Sequence, residues 1–313
     1  MRQFSIIVTC HNQRLFIREA VESALLQPGE REIIVVDDAS SDGSVDVLRG
    51  YSDLVRLVRL EKNVGAPDAR NKGADLADGE YLVFLDGDDV LAPYALQVYS
   101  RLIRERHPVI IAGKPQFFEG SVPEVRMNPS EVEFVEYDYF IAKDRPCGLY
   151  ASTWLVRRHE FQRVHGWTSE IFQLDLVDQA TKLGSLGRAI IVQTPITALY
   201  RVHAANSVHD VAPFMRMMHY IIGRERSGCY GGREHRFQRQ AWLGGPILYW
   251  VKRAARSGLY GDAVKLLMNG WRMVLLGALR RIFVDKRPIE SLPIHQSTYD
   301  ATREHREWSA VSA

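Results

Sequence analysis

Cysteine is scarce in this chain: Cys10, Cys147 and Cys229 are the three among 313 residues. An odd number at wide spacing excludes a disulfide framework and a CxxC metal knuckle, and it points to a reducing compartment. Long apolar runs are missing as well, since no stretch approaches the ~18 residues that a membrane span needs. The apolar run at 4–9 is too short for a secretory signal, and no cleavage-like site follows it. No G-x-G-x-x-G follows a strand and no Walker-type lysine loop occurs, which removes dinucleotide oxidoreductases and P-loop enzymes. No internal repeat is evident. What remains is a globular composition, 46% hydrophobic, 25% charged and 10% aromatic. At roughly 100–200 residues per domain, this length allows one large domain with an appendage, or two domains. A soluble or peripheral, cytoplasmic protein is expected.

Charge is nearly balanced overall, 40 Lys+Arg against 38 Asp+Glu, but it is unevenly placed. Residues 211–288 hold fifteen Lys/Arg against four acids, about +11. The last stretch, 289–313, carries about −2, so residues 1–210 carry about −7. An acidic body with a basic tail implies two jobs, or one job with two partners.

Strand and helix signals alternate through the first ~105 residues. Strands are expected at 4–9, 32–36, 55–60 and 81–85, with helices at 15–25, from 44, and at 69–76. This alternation predicts an α/β fold with a mostly parallel sheet covered by helices. In such sheets ligands bind beyond the carboxyl ends of the strands. Those ends carry Thr9, His11 and Asn12, then Asp37 and Asp38, then Asp86, Gly87, Asp88 and Asp89. The segment 106–150 is irregular. Strands at 109–113 and 151–156, a helix at 158–164, a helix at 175–183 and strands near 190–192 and 197–202 follow. From 212 the pattern turns helical, at 215–222, 247–255, 263–268 and 271–283, with Gly-rich breaks at 227–228, 231–232, 244–246 and 257–258. A boundary is placed near 210, giving a 1–210 domain (a nucleotide part at 1–105, an acceptor part at 106–210) and a basic helical extension at 211–313.

Three local patterns carry chemistry. Asp86-Gly87-Asp88-Asp89 sets three carboxylates within four residues, costly unless water or a hard divalent cation neutralises them. The competing reading is a solvated acidic turn capping the next helix. Asp37-Asp38-Ala39-Ser40-Ser41-Asp42-Gly43 follows a buried strand, where a carboxylate can accept from a nucleobase or a ribose hydroxyl; an Asx-turn with a helix cap explains the same residues. Asn63-Val64-Gly65-Ala66-Pro67-Asp68-Ala69-Arg70-Asn71 allows close backbone approach at the glycine and puts Arg70 on a first helical turn.

In this order, with His11-Asn12 and Gln27 before them, these patterns resemble the family 2 glycosyltransferases of the GT-A fold, over residues 4–95. The resemblance continues more loosely to about 208, through Cys147–Gly166 and His165-Gly166-Trp167. It implies an inverting transfer of one sugar from a nucleotide-diphosphate sugar, most often UDP-linked, to a hydroxyl of a glycan or polyprenyl-linked acceptor. It implies donor contacts from Thr9, His11, Asn12, Asp37, Asp38, Asn63, Gly65, Arg70, Asp86 and Gly87. Mn²⁺ or Mg²⁺ is implied at Asp88, with Asp86 and with His203 of the segment Tyr200-Arg201-Val202-His203-Ala204-Ala205-Asn206-Ser207. The family's Glu-Asp motif is eroded here to Gln173-Leu174-Asp175-Leu176-Val177-Asp178. Asp175 is the expected general base and Asp178, one helical turn on, the second choice. That erosion keeps a non-catalytic sugar-binding or scaffold subunit in view. A sugar-nucleotide pyrophosphorylase would want a Gly-rich basic loop where Cys10-His11-Asn12-Gln13 stands.

The basic segment 211–288 has two readings. Trp242, Tyr249, Trp250, Trp271 and Phe283, interleaved with Arg and Lys, suit peripheral contact with an anionic membrane. A helical cap or homodimerisation arm with solvated charges is the other. No nucleic-acid recognition module is present.

Overall fold

The protein is described here by a computed structural model, which covers residues 2–125, 131–143, 149–204, 211–283 and 287–293. Cys147, Ala205, Asn206 and Ser207 of the motif segments lie outside the described residues, as does the stretch beyond 293. The expected alternation is present: β1 (Phe4–Cys10), α1 (Ile17–Leu25), β2 (Arg31–Asp37), α2 (Ser44–Arg49), β3 (Arg56–Arg59), α3 (Ala66–Asp75) and β4 (Tyr81–Asp86). β1 is buried at every position, because helices cover both faces of the sheet and leave no room for polar alternation. β1 pairs in parallel with β2 and β4, and β2 with β3. The register sets Cys10 beside Asp37 and Thr9 beside Asp86. Three strand ends are thereby level, and the residues that follow them gather at one edge of the sheet.

The chain continues through β5 (Val90–Leu91), α4 (Ala95–Arg106), β6 (Ile110–Ala112), β7 (Gln116–Phe118), β8 (Glu131–Tyr137), β9 (Trp154–Arg157), α5 (Arg158–Arg163), α6 (Asp175–Leu183), β10 (Ala189–Thr194) and β11 (Ala198–Arg201). It closes with α7 (Val211–Ser227), α8 (Arg236–Arg256), α9 (Tyr260–Phe283) and β12 (Glu290–Pro293). Among the described residues, nine strands form the central sheet in the order β12-β8-β10-β6-β9-β4-β1-β2-β3, and β5-β11-β7 form a small second sheet. The parallel part runs from β3 to β4; β9 then enters antiparallel between β4 and β6. β8 and β12 continue antiparallel beyond β10, so the sheet is mixed in its second half.

After Asp89 the sequence reading misses β5, α4, β7, β8 and β12. α4 buries Ala95, Leu96, Val98, Tyr99, Leu102 and Ile103 at helical spacing, and β8 alternates exposed and buried over Glu131–Phe134 before Val135 and Tyr137 are both buried. Residues 151–153 are a single 3-10 turn, and the strand expected there begins at Trp154.

The largest departure is in the helices. α8 runs unbroken through Gly244-Gly245-Pro246, and α9 spans the expected gap at 269–270. These glycines are packing contacts. A Cβ on Gly244 would stand 2.3 Å from the Met273 carbonyl oxygen, and one on Gly277 would stand 2.7 Å from that of Ala241. Backbone therefore touches backbone where α8 and α9 cross. Met218, Trp242, Leu243 and Met273 join one continuous core with Ile7, Phe84 and Trp154, so the helices grip the sheet domain directly. No described helix is long and apolar enough to cross a membrane.

Replacing Gly244 with valine forces α8 and α9 apart, because the obstructing atom is backbone and cannot rotate away. A lowered urea midpoint is expected, equivalent to about 1–3 kcal/mol of overpacking. Gly261→Ala, whose Cβ meets nothing within 4 Å, is the control and should leave the midpoint unchanged or raise it.

Candidate active site

On one flank of the strand ends, polar side chains lock a loop in place. His11 Nδ1 donates to the Asp38 carbonyl at 2.7 Å. That leaves Nε2 to accept from Asn63 at 2.9 Å and from Asn12 at 3.1 Å. The Asp38 carboxylate accepts the backbone N–H groups of Val64 at 2.7 Å and Gly65 at 2.8 Å. Gly65 has a φ of +87°, and a Cβ there would lie 2.6 Å from the Phe172 ring. Only glycine satisfies both demands. Asn12 in turn accepts the Ser41 N–H at 2.9 Å.

The acidic pair has backbone partners. Asp38 is 3% exposed and spends both oxygens on the 63–65 loop, while Asp37 is fully buried. Asp37 Oδ2 accepts the Ser40 N–H, and Oδ1 has no partner among the described residues. His11, Asn12 and Asn63 are the exposed polar groups of this flank. Thr9 and Gly87 form a close crossing. The Gly87 N–H donates to the Thr9 carbonyl at 2.9 Å, and a Cβ on Gly87 would strike Gln13.

Arg70 organises the centre. It leaves the first turns of α3, is almost wholly buried, and donates to Asp86 at 2.7 Å and to Asp175 at 2.5 Å. Its guanidinium lies 5.0 Å from the Trp167 ring centroid. Burial works against this charge, yet Asp86 and Asp175 together hold Arg70 above its ordinary range. Burial pushes the Asp175 carboxyl up, against the pull of Arg70 in the other direction. The second Asp175 oxygen accepts the Leu176 N–H at 2.8 Å, at the start of α6.

On the other flank the small sheet delivers the remaining groups. His203, two residues past β11, meets Asp88 at 2.9 Å through Nε2, and its ring stands 4.8 Å from that of Phe16. Asp89 turns inward, 1% exposed, and accepts from the Ser152 hydroxyl at 2.6 Å and the Arg201 N–H at 3.0 Å. Burial, then the charges of Asp86 and Asp88, raise Asp89 well above the carboxylate range. Burial and Asp86 also raise Asp88, against His203. Arg201 fixes the turn by donating to the Asp88 carbonyl at 2.9 Å and pairing with Glu19. The cluster therefore divides: Asp86 and Asp88 face the cleft, and Asp89 belongs to the frame.

Among the described residues, no three His, Cys, Asp or Glu side chains could enclose a metal ion by themselves. The donor set nevertheless fits a hard divalent cation of the kind that shares its shell with phosphate oxygens. Asp88 and His203 offer a carboxylate oxygen and an imidazole nitrogen side by side, next to the repelling charge of Asp86.

Asp178 does not join this group. It is 1% exposed, accepts from Thr168 at 2.6 Å and from the Tyr230 hydroxyl, and pairs with Lys182 at 3.5 Å. Sequence reading missed Ser152 and Glu19, and it named Trp167 only as part of a motif, without its place against Arg70. A hydroxyl inside the apolar run at 151–156 was a cue for Ser152, whereas nothing local marks Glu19.

This arrangement has counterparts. The putative teichuronic acid biosynthesis glycosyltransferase TuaG of Bacillus subtilis is 39% identical over 106 residues, 33% of this chain and 42% of the relative. The poly(ribitol-phosphate) β-N-acetylglucosaminyltransferase TarS of Staphylococcus aureus is 31% identical over 148 residues, 42% of this chain and 26% of the relative. The chain thus spans less than half the length of these two relatives. In solved structures, S. aureus TarS 1-349 in complex with UDP-GlcNAc shares the fold, with a TM-score of 0.57 at 17% identity over 94% of this chain and 97% of that one. The mannosyltransferase PcManGT from Pyrobaculum calidifontis, in complex with GDP-Man and Mn²⁺, gives a TM-score of 0.51 at 15% identity over 90% and 88%. The sequence profile described as Glycosyl transferase family 2 matches residues 5–164, a little over half the chain, and includes the ends of β1, β2 and β4. The chain belongs to glycosyl transferase family 2.

Proposed function

We propose that this chain is an inverting glycosyltransferase that moves one sugar from a UDP-linked donor to a hydroxyl of a cell-envelope glycan or polyprenyl-linked acceptor. The observation that carries the reading is the Arg70 bridge, which sets Asp175 beside Asp86 at the edge where the donor-side residues end. The names of TuaG and TarS support an envelope polymer, and the UDP-GlcNAc complex of TarS supports the donor class.

His11, Asn12 and Asn63 offer exposed donors and acceptors to the nucleoside, on a loop that Asp38 holds rigid. Asp88 and His203 are the residues that would hold Mn²⁺ or Mg²⁺ against the diphosphate. A cation bound there supplies neutralisation of the charge that grows on the leaving group. Asp175 takes the acceptor hydroxyl proton as that oxygen forms its bond to the anomeric carbon. The bond from that carbon to the diphosphate oxygen breaks, and the nucleoside diphosphate departs. Burial suits Asp175 to this work, since a raised carboxyl is a stronger base once ionised. Asp178, enclosed by Thr168, Tyr230 and Lys182, has no exposed oxygen for an acceptor and serves to hold α6.

The basic extension fits the surface of an anionic bilayer. α9 exposes Tyr260, Val264, Met268, Trp271, Leu275 and Ile282 at helical spacing. Lys265, Arg272 and Arg281 border the stripe, and Asp262 is the one acid of that helix. A two-fold pairing of this face with a second copy would bring like charges together, whereas anionic headgroups complement them. The protein is accordingly assigned to the cytoplasmic face of the membrane.

Three outcomes are expected. Asp175→Asn lowers kcat by about 10²–10⁴-fold while donor binding, read by thermal shift with UDP-sugars, persists; full turnover in this variant would remove Asp175 from the mechanism. Asp88→Ala abolishes the added thermal stabilisation that Mn²⁺ confers on the UDP-bound protein, and an unchanged Mn²⁺ response would move the cation elsewhere. Sedimentation with phosphatidylglycerol vesicles at low salt is expected for the parent and lost in Met268→Glu/Trp271→Glu. Sedimentation indifferent to those changes, or a salt-resistant dimer, would overturn the membrane reading.

A further inference from the structure

An aromatic cluster stands beside the carboxylate turn. Phe117, Tyr150 and Tyr200 form a closed triangle of rings. The centroids lie 5.5 Å apart for Phe117–Tyr150, 5.5 Å for Phe117–Tyr200 and 5.3 Å for Tyr150–Tyr200, with interplanar angles of 78°, 64° and 64°. The backbone explains the placement. β7 and β11 pair in parallel with Phe117 opposite Tyr200, so both side chains rise from one face of the small sheet. Their neighbours Phe118 and Arg201, also opposite each other, turn to the buried face, where the Arg201 guanidinium sits 4.4 Å from the Phe118 centroid.

All three rings border the metal-side flank of the site. Tyr200 lies three residues before His203, and Tyr150 lies two before Ser152, the residue that bonds Asp89. Burial first, then the charges of Asp89, Asp86 and Asp88, raise the Tyr200 hydroxyl, so that side chain is within electrostatic reach of every carboxylate in the turn. Phe117 is 53% exposed. A scattered exposed phenylalanine is ordinary. Here the open ring packs against two tyrosines, one of which, Tyr200, senses the charge of the carboxylate turn.

We propose that Phe117, with Tyr150 and Tyr200 behind it, is a stacking platform for a pyranose ring of the substrate. This rests on the transferase reading and adds a subsite to it. A pyranose presents a face of axial C–H groups, which carry slight positive charge and suit the negative face of an aromatic ring. An open-chain polyol phosphate has no such flat face, so the platform selects a ring-bearing partner. Two substrates carry rings, the donor sugar and a terminal sugar of the acceptor, and the shared chemistry is the same.

Saturation-transfer NMR on the full chain separates these cases, with UDP, UDP-GlcNAc, methyl β-D-glucopyranoside, methyl β-N-acetylglucosaminide and ribitol 5-phosphate as probes. With UDP and Mg²⁺ present, ring protons of a methyl glycoside should be saturated. Phe117→Ala should weaken its binding about threefold to tenfold, and Phe117→Trp should restore it. Loss of saturation in the sugar ring of UDP-GlcNAc alone would support the platform with the donor as its source. Equal saturation of ribitol 5-phosphate, or sugar-ring signals of both the methyl glycosides and UDP-GlcNAc indifferent to Phe117→Ala, would overturn the proposal. The uridine protons report separately on the nucleotide reading. If they are saturated while no sugar ring responds to Phe117→Ala, the platform alone falls; if they too are silent, both fall. Phe117 is half-exposed on a face away from the core, and an unchanged melting temperature verifies that its variants fold.

Discussion

One buried guanidinium ties together groups that the chain keeps far apart. Arg70 comes from α3, Asp86 from the end of β4 and Asp175 from the start of α6, 105 residues beyond Arg70. Removing either carboxylate would leave a buried cation half compensated, which is far more costly than losing a surface pair. Lysine could not substitute, because the bridge needs two N–H directions in one plane and a flat face for Trp167. The position of the proposed base is therefore set by the same charge that orders the donor side.

The small sheet performs the matching task on the other flank. β5 follows directly from Asp89, β11 runs into the segment that bears His203, and the two strands are hydrogen-bonded neighbours. Arg201 crosses behind them, reaching the Asp88 carbonyl, the Gly120 carbonyl and Glu19, with Phe16 and Phe118 against its guanidinium. Two arginines thus brace one acidic turn, Arg70 from the cleft and Arg201 from the core. This explains how three carboxylates coexist within four residues: each has a different partner.

Where chemistry follows strand order, the sequence is informative. Apolar runs ending in His11, Asp37 and Asp86 locate the cleft edge because a parallel sheet must level its strand ends. The finer roles of Asp37, Asp38 and Asp89 were not legible, since orientation depends on partners such as Val64, Gly65 and Ser152 that only folding brings near. Asp175 and Asp178 differ by three residues in one helix, and no periodicity says which faces Arg70 and which faces Tyr230. The glycines of α8 and α9 misled for a related reason: Gly244 reads as a helix breaker locally, while its value lies in admitting the Met273 carbonyl. α4 and β8 show readable patterns, obscured by the Pro- and Glu-rich sequence between them.

The final described strand has a consequence for how the molecule is made. β12 lays Glu290–Pro293 against Phe134–Glu131 of β8, and Arg106 reaches across to Glu290. β8 would otherwise be an open edge with unpaired backbone groups, a template for pairing between chains. Its cover is synthesised some 150 residues later, after α7, α8 and α9. Closing such a distant pair is a late event on entropic grounds. During synthesis the edge of β8 must therefore wait unprotected, and the exposed Glu131 and Glu133, two residues apart on one face, supply the repulsion that keeps nascent chains apart until β12 arrives.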